Sequence, residues 1–225
     1  MHIEHGVVTG AKLLLSLGTA AAAGLTTLKM AAEAAVEKGI PSLAARSALS
    51  TAAVFTFFQV LPHHPVGVSE VHLILGSTLF LLFGAAPAAI GLALGLLLQG
   101  LFFVPTDLPQ YGMNVTTLLV PLFGLRMLAA RIIAPGTAYV DLSYAQALKL
   151  STAYQGGIVA WVGFWALYGH GFEAANLAAI GSFGVAYMSV VLLEPLVDLA
   201  VLAAAKSLKG LDKSGIVTPR LHNAA

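Results

Sequence analysis

Between positions 71 and 104 the chain runs for 34 residues without one Asp, Glu, Lys or Arg. A bilayer core is spanned by about 20 mostly apolar residues in an α-helix, so this stretch is too long for one crossing and too apolar for a water-facing surface. Gly84-Ala85-Ala86-Pro87 interrupts it and predicts two helices meeting there. Similar apolar runs fall at about 7–28, 42–61, 113–133, 147–168 and 177–205. Polar segments separate them at 29–41, 63–70 and 105–112, and a polar tail covers 206–225. The fold class expected is all-α, a polytopic membrane bundle of about seven transmembrane helices in one integral membrane domain covering 1–225. The whole chain agrees: 9% of its 225 residues are charged and 58% are hydrophobic, with mean hydropathy +0.88. A soluble domain carries roughly 25% charged residues. There is no cysteine, which removes disulfides, thiolate metal sites and cysteine nucleophiles. No basic run points to nucleic acid. The start, Met1-His2-Ile3-Glu4-His5, lacks the positive opening of a cleavable signal, so Met1 is expected to be the mature terminus.

Seven spans put the two termini on opposite sides. If the C-terminus is cytoplasmic, ten of the eleven basic residues fall inside and only Lys12 falls outside, in line with the positive-inside rule. Six histidines then gather at or near the outer face: His2, His5, His63, His64, His72 and His170. Neutral imidazole is the commonest metal ligand, and the gathering suggests a site of metal entry. Singly, His63, His64 and His170 read more readily as polar loop residues. His2 differs, because its imidazole, the adjoining backbone amide and a free α-amine are joined by short covalent links that can close chelate rings on one ion. One more imidazole would complete an all-nitrogen set, which suits Ni(II), Cu(II) or low-spin Co(II) better than Mg or Ca.

Met1-His2-Ile3 with Gly6 resembles the amino-terminal Met-His-Ile-x-x-Gly of the CbiM/NikM family. These are the cobalt- or nickel-specific substrate-binding (S) components of energy-coupling-factor (ECF) transporters. Gly67-Val68-Ser69-Glu70-Val71-His72-Leu73 is similar to that family's Gly-Thr-Ser-x-His-Leu loop with one extra residue, and the spacing from His72 to Gly84 and Gln99 continues the match. Gly112-Met113-Asn114 resembles its Gly-Ala-Asn, and Glu194 resembles a family Glu-Gly, with Pro195 in place of the glycine. The chain departs from the pattern at Glu4-His5 and in the extra pair His63-His64.

The resemblance implies an ECF S-component fold with the metal held by Met1, His2 and His72. The amino-terminal segment 1–6 would insert near the outer ligand loop 62–72. Asn114 would orient the ligands, with His64, His63 and His5 as auxiliary or collecting groups. The implied cargo is Ni(II) or Co(II), with a copper- or zinc-binding relative as the alternative. A transmembrane coupling (T) subunit and separate ATP-binding cassette ATPases are the implied partners, since no phosphate loop is present here. The implied location is a bacterial cytoplasmic membrane, and no enzyme activity is expected.

Further residues carry other expectations. Glu194 and Asp198 share one face of the last span. They are read as a cation or proton relay or a counter-charge for Arg126, or, as the preferred plainer reading, as a structural ion pair or hydrogen-bonded groups at a Pro195 kink. Gly18, Ala20, Ala22 and Gly24 offer a small-residue face for close helix approach, either within the bundle or to a coupling subunit. Trp161, Trp165 and Tyr168 read as an interfacial aromatic belt, and 209–220 as a solvated tail. The rival readings are an accessory subunit of another membrane complex built on the same fold and, more weakly, a haem-binding redox protein.

Overall fold

A computed structural model describes residues 3, 6–208 and 210–223. Eight α-helices occur among the described residues: α1 (Leu13–Lys38), α2 (Ile40–Gln59), α3 (Gly76–Phe83), α4 (Ala85–Phe102), α5 (Tyr111–Ile132), α6 (Tyr144–His170), α7 (Ala174–Met188) and α8 (Glu194–Ser207). A two-stranded antiparallel hairpin, β1 (His64–Val66) and β2 (Ser69–Val71), stands between α2 and α3. Four helical stretches are by themselves long and apolar enough to cross a membrane, at 10–38, 85–102, 105–132 and 174–207.

Side-chain pairings give the direction of each element. Gly91 packs on Ser50, Gly95 on Val54, and the Gln99 side chain donates to the Phe58 carbonyl, so α2 and α4 run parallel at constant offset. Parallel neighbours require the chain between them to return across the bundle. That return is made by the non-helical residues 72–75 followed by α3, which has only eight residues. By contrast α5 and α6 are antiparallel, pairing Ile132 with Gln146, Pro121 with Gly157 and Thr116 with Trp161. The α6–α7 pair is antiparallel too, through Ala166 with Asn176 and Gly163 with Ile180. With α7 and α8 counted as one pass, the chain makes seven passes, as the hydropathy pattern predicts.

The passes differ in form from that pattern. The polar stretch after residue 28 is not a loop: α1 continues to Lys38 and meets α2 at Gly39, whose φ of 84° makes the corner. The third pass is half extended, because Leu75 in the left-handed region (φ 55°) starts α3 late. Extended backbone is tolerated at membrane depth only where protein encloses it, and Ile74, Leu75 and the first turns of α3 are buried. The last pass breaks at Ser189–Leu192, a short 3-10 turn ahead of Pro195, as proline there requires. The tail also packs. Leu221 is fully buried, the Thr218 amide donates to the Leu82 carbonyl at 2.7 Å, and Arg220 lies 5.3 Å over the Tyr139 ring. Its apolar residues cap one end of the bundle, so 209–220 is not simply a solvated tail.

The tightest seam lies between α2 and α4. A Cβ on Gly91 would sit 2.1 Å from Ser50 Oγ and 2.7 Å from the Ser50 carbonyl carbon. The expected small-residue face of α1 is used differently, since Gly18 and Gly24 have nothing within 4 Å of a built Cβ. Gly91→Ala is therefore expected to destabilise the detergent-solubilised protein by about 1–3 kcal/mol through overpacking. Gly18→Ala should stay within about 0.5 kcal/mol of the parent. Thermal unfolding of both variants checks the contrast.

Candidate metal-capture site

The hairpin and the amino-terminal segment meet at one end of the bundle. The turn of the hairpin rests on α7: Gly67 (φ 62°) approaches so closely that a Cβ there would lie 2.1 Å from the Ala179 carbonyl oxygen. Only glycine satisfies both the positive φ and the contact. Ile3 forms an antiparallel bridge with Ser69, and its amide donates to Asn114 Oδ1 on α5 at 3.0 Å. Ile3, Ser69 and Asn114 are all buried. The segment then continues along the end of α6. Gly169 meets the Val7 carbonyl so closely that a Cβ would be 1.7 Å away, and Lys12 Nζ donates to the carbonyls of Tyr168 and Gly169 at 2.9 and 3.0 Å. Gly112, two residues before Asn114, lets α5 lie against the Ser16 backbone. Ile3 thus lies between the hairpin and α5, and Val7 lies against α6.

His72 follows directly after β2 and is 1% exposed. Its Nε2 lies 2.9 Å from Glu70 Oε2. A carboxylate accepting from Nε2–H selects the tautomer whose Nδ1 carries the lone pair. The imidazole is held from two further sides. Phe58 packs at 5.4 Å between ring centroids, and His63 stacks parallel to it at 4.8 Å and 9°. His63 itself is exposed, and its Nδ1 is 3.4 Å from the Leu61 carbonyl. His64 begins β1 opposite Val71 and is exposed, facing away from the buried imidazole's position in the fold. His170 lies beside Gly6, with Nε2 3.4 Å from its carbonyl.

Among the sequence-designated residues, His72, His63 and Asn114 therefore come together with Ile3 at this end, while His64 stays on the surface. Met1, His2 and His5 lie outside the described residues. Among the described residues, no group of three or more His, Cys, Asp or Glu is arranged to hold a metal ion. Sequence reasoning passed over Glu70 as a partner of His72 and Phe58 as its support. The i, i+2 spacing of Glu70 and His72 is a usable signal only once the hairpin's end is known.

The intramembrane charges are arranged differently from one of the readings above. Arg126 is not a partner of Glu194; its Nη2 bonds Glu33 Oε2 at 3.0 Å, with both side chains nearly half exposed. Glu194 and Asp198 are both fully buried. Glu194 accepts from Ser151 and from Gln155 Nε2 on α6, and Asp198 accepts from Ser77 and Thr78 at the start of α3. Asp198 thus ties the short helix α3 to α8. The aromatic belt needs the same correction. Trp165 is completely buried, and Trp161 donates to Thr116 on α5 at 3.2 Å, so these rings pack the bundle instead of ringing it.

Comparison with known families adds the decisive observation: residues 2–210 match the family model for CbiM, described as the cobalt uptake substrate-specific transmembrane region. The chain belongs to the CbiM family. Its members are substrate-specific membrane components of metal transport, and this chain is one such component. A crystal structure of a truncated transition metal transporter shares the fold with a TM-score of 0.62 at 18% identity, covering 90% of this chain and 96% of the other. Comparison with curated proteins gives no significant match. For a CbiM-family chain the threaded amino terminus beside His72 is the natural place to look for capture.

Asn114 is the one side chain that receives the Ile3 amide, and a buried amide left without an acceptor costs about 1–3 kcal/mol. Asn114→Ala is expected to release the amino-terminal segment. Hydrogen exchange should rise severalfold at residues 3–8 while α4 and α6 keep their protection.

Proposed function

We propose that this chain is the substrate-capturing S component of an ECF-type importer for Ni(II) or Co(II), working with a T subunit and ATP-binding cassette ATPases. The observation that carries the reading is the clamp on Ile3. The residue that directly follows His2 is fixed by Ser69 on the ligand hairpin and by Asn114 on α5, at the end of the bundle that holds buried His72. The ligands in this reading are the Met1 amine, the backbone and side chain of His2, and His72 through Nδ1, oriented by Glu70. His63, stacked on His72, would shield the site, and His64 and His5 would serve as an outer collecting pair. The family description, with its cobalt uptake, supports a borderline transition metal as cargo, and an all-nitrogen set favours Ni(II) or Co(II), with Cu(II) its competitor.

Orientation follows from the same sorting of basic residues. The capture end faces outward with the N-terminus, the C-terminus lies in the cytoplasm, and the host is a bacterial cytoplasmic membrane. The whole of 1–225 acts as one membrane domain. The open small-residue face of α1 around Gly18 and Gly24, flanked by exposed Leu17, Leu25 and Leu28, suits close packing of a coupling subunit's helices.

The test is elemental analysis of the purified protein with an untagged N-terminus after incubation with Ni, Co, Cu and Zn. About one equivalent of nickel or cobalt is expected on the metal-chelate arithmetic of one site per chain. It should be lost in His72→Ala, in His2→Ala and in a variant carrying one residue before Met1. Retention of metal by the extended variant would show that the amine is no ligand.

Metal binding through an amine and imidazoles displaces protons. Affinity is therefore expected to fall as pH drops below neutral, and loading should release protons into weakly buffered solution. Titration calorimetry in two buffers of different protonation enthalpy measures that release.

A further inference from the structure

At the opposite end from His72, the bundle contains a cavity of about 560 Å³ between α1, α2, α5 and the packed tail. Its most constrained wall residue is Arg46, 2% exposed on α2. Two backbone carbonyls orient the guanidinium: Nε donates to Ser42 at 3.3 Å and Nη1 to Phe83 at 3.0 Å. Its Nη2 is buried and has no hydrogen-bond partner among the described residues, and no carboxylate there lies within 4.0 Å of it. A guanidinium stays charged, and burying that charge without an anion costs several kcal/mol.

Arg220 reaches the same cavity from the tail. It is positioned over the Tyr139 ring, and its Nε also lacks a partner. Arg126 lines the third side, already paired with Glu33. Glu37 is the other acid on the wall, and it acts on Arg46 through space. Three arginines against two glutamates leave one surplus positive charge, with its unused donors on Arg46 and Arg220. Met30, Ala34 and Phe80 are among the apolar parts of the wall, and Thr218 adds a hydroxyl. Next to Arg126 in the chain, Met127 is 72% exposed on what is a lipid-facing surface.

We infer that this cavity is a binding site for a phosphodiester, with an anionic phospholipid as its source. A phosphodiester carries the single negative charge that the surplus requires, and it offers oxygens in the geometry that arginine donors match. Basic pockets between transmembrane helices commonly hold such headgroups. The acyl chains would leave along the apolar surface beside Met127. The bound headgroup would join α5 to α2 and the tail, which already meet through the hydrogen bond from Ser42 Oγ to the Gly215 carbonyl. The site is separate from metal capture, and its test needs no metal.

The experiment uses the full chain in neutral detergent, read by native mass spectrometry and thermal unfolding. The probes are phosphatidylglycerol, phosphatidylcholine and inorganic phosphate. Phosphatidylglycerol should give a one-to-one adduct and raise Tm, exceeding phosphatidylcholine. Loss of one charge-assisted contact should weaken retention about tenfold in Arg46→Gln and in Arg220→Gln. The second variant alters a partly exposed residue, so it stays informative if the first does not fold. An equal rise in Tm from inorganic phosphate alone would overturn the lipid source. Adduct formation that is indifferent to headgroup charge, or unchanged in Arg220→Gln, would overturn the site.

Discussion

The third pass of the chain is the part on which the others depend. Because α2 and α4 pack in parallel, the chain must come back between them, and it does so with four non-helical residues and a helix of eight. Backbone outside a helix needs partners from elsewhere, and hydrocarbon supplies none. The bundle therefore has to enclose it on all sides, and Asp198 secures it by accepting from Ser77 and Thr78. Glu194, one turn earlier on α8, accepts from α6 in the same way. These two carboxylates thus hold α3, α6 and α8 in place around a partly non-helical pass, the plainer of the two roles read in the sequence.

That arrangement also explains the capture end. Where the third pass begins, the chain leaves β2 and enters the bundle at His72, so the imidazole is drawn into the protein while Glu70 stays at the rim. The β2 strand of the hairpin gives Ile3 an edge to pair with at Ser69, and α5 supplies Asn114 for its amide.

The two ends of the molecule have opposite chemistry. One gathers imidazoles and backbone carbonyls around a threaded terminus, and the other gathers guanidinium groups around a cavity closed by the tail. In the roles proposed above, the first end would give a cation nitrogen ligands and the second would hold an anionic headgroup.

Much of this was legible in the chain itself. The number of passes followed from apolar length, and their sorting followed from ten basic residues on one side. The family followed from Met1-His2-Ile3 and the spacing around His72, and the model match over 2–210 bears that out. These properties are local or additive, so a sequence records them directly. Four others were not legible: the half-extended third pass, the continuation of α1 through polar residues to Lys38, the burial of Trp165, and the partner of Arg126. Each depends on which neighbour lies across a helix interface. Hydropathy cannot say whether an apolar residue faces lipid or protein, because both are equally apolar, nor which of two distant acids an arginine will meet. The sequence by itself determined that the chain crosses a membrane about seven times and belongs to a metal-transport family. Only the tertiary structure decided that His72 is buried against Phe58 and His63, that Glu194 and Asp198 brace helices, and that Arg46 is left facing a cavity, since those outcomes rest on contacts between residues far apart in the chain.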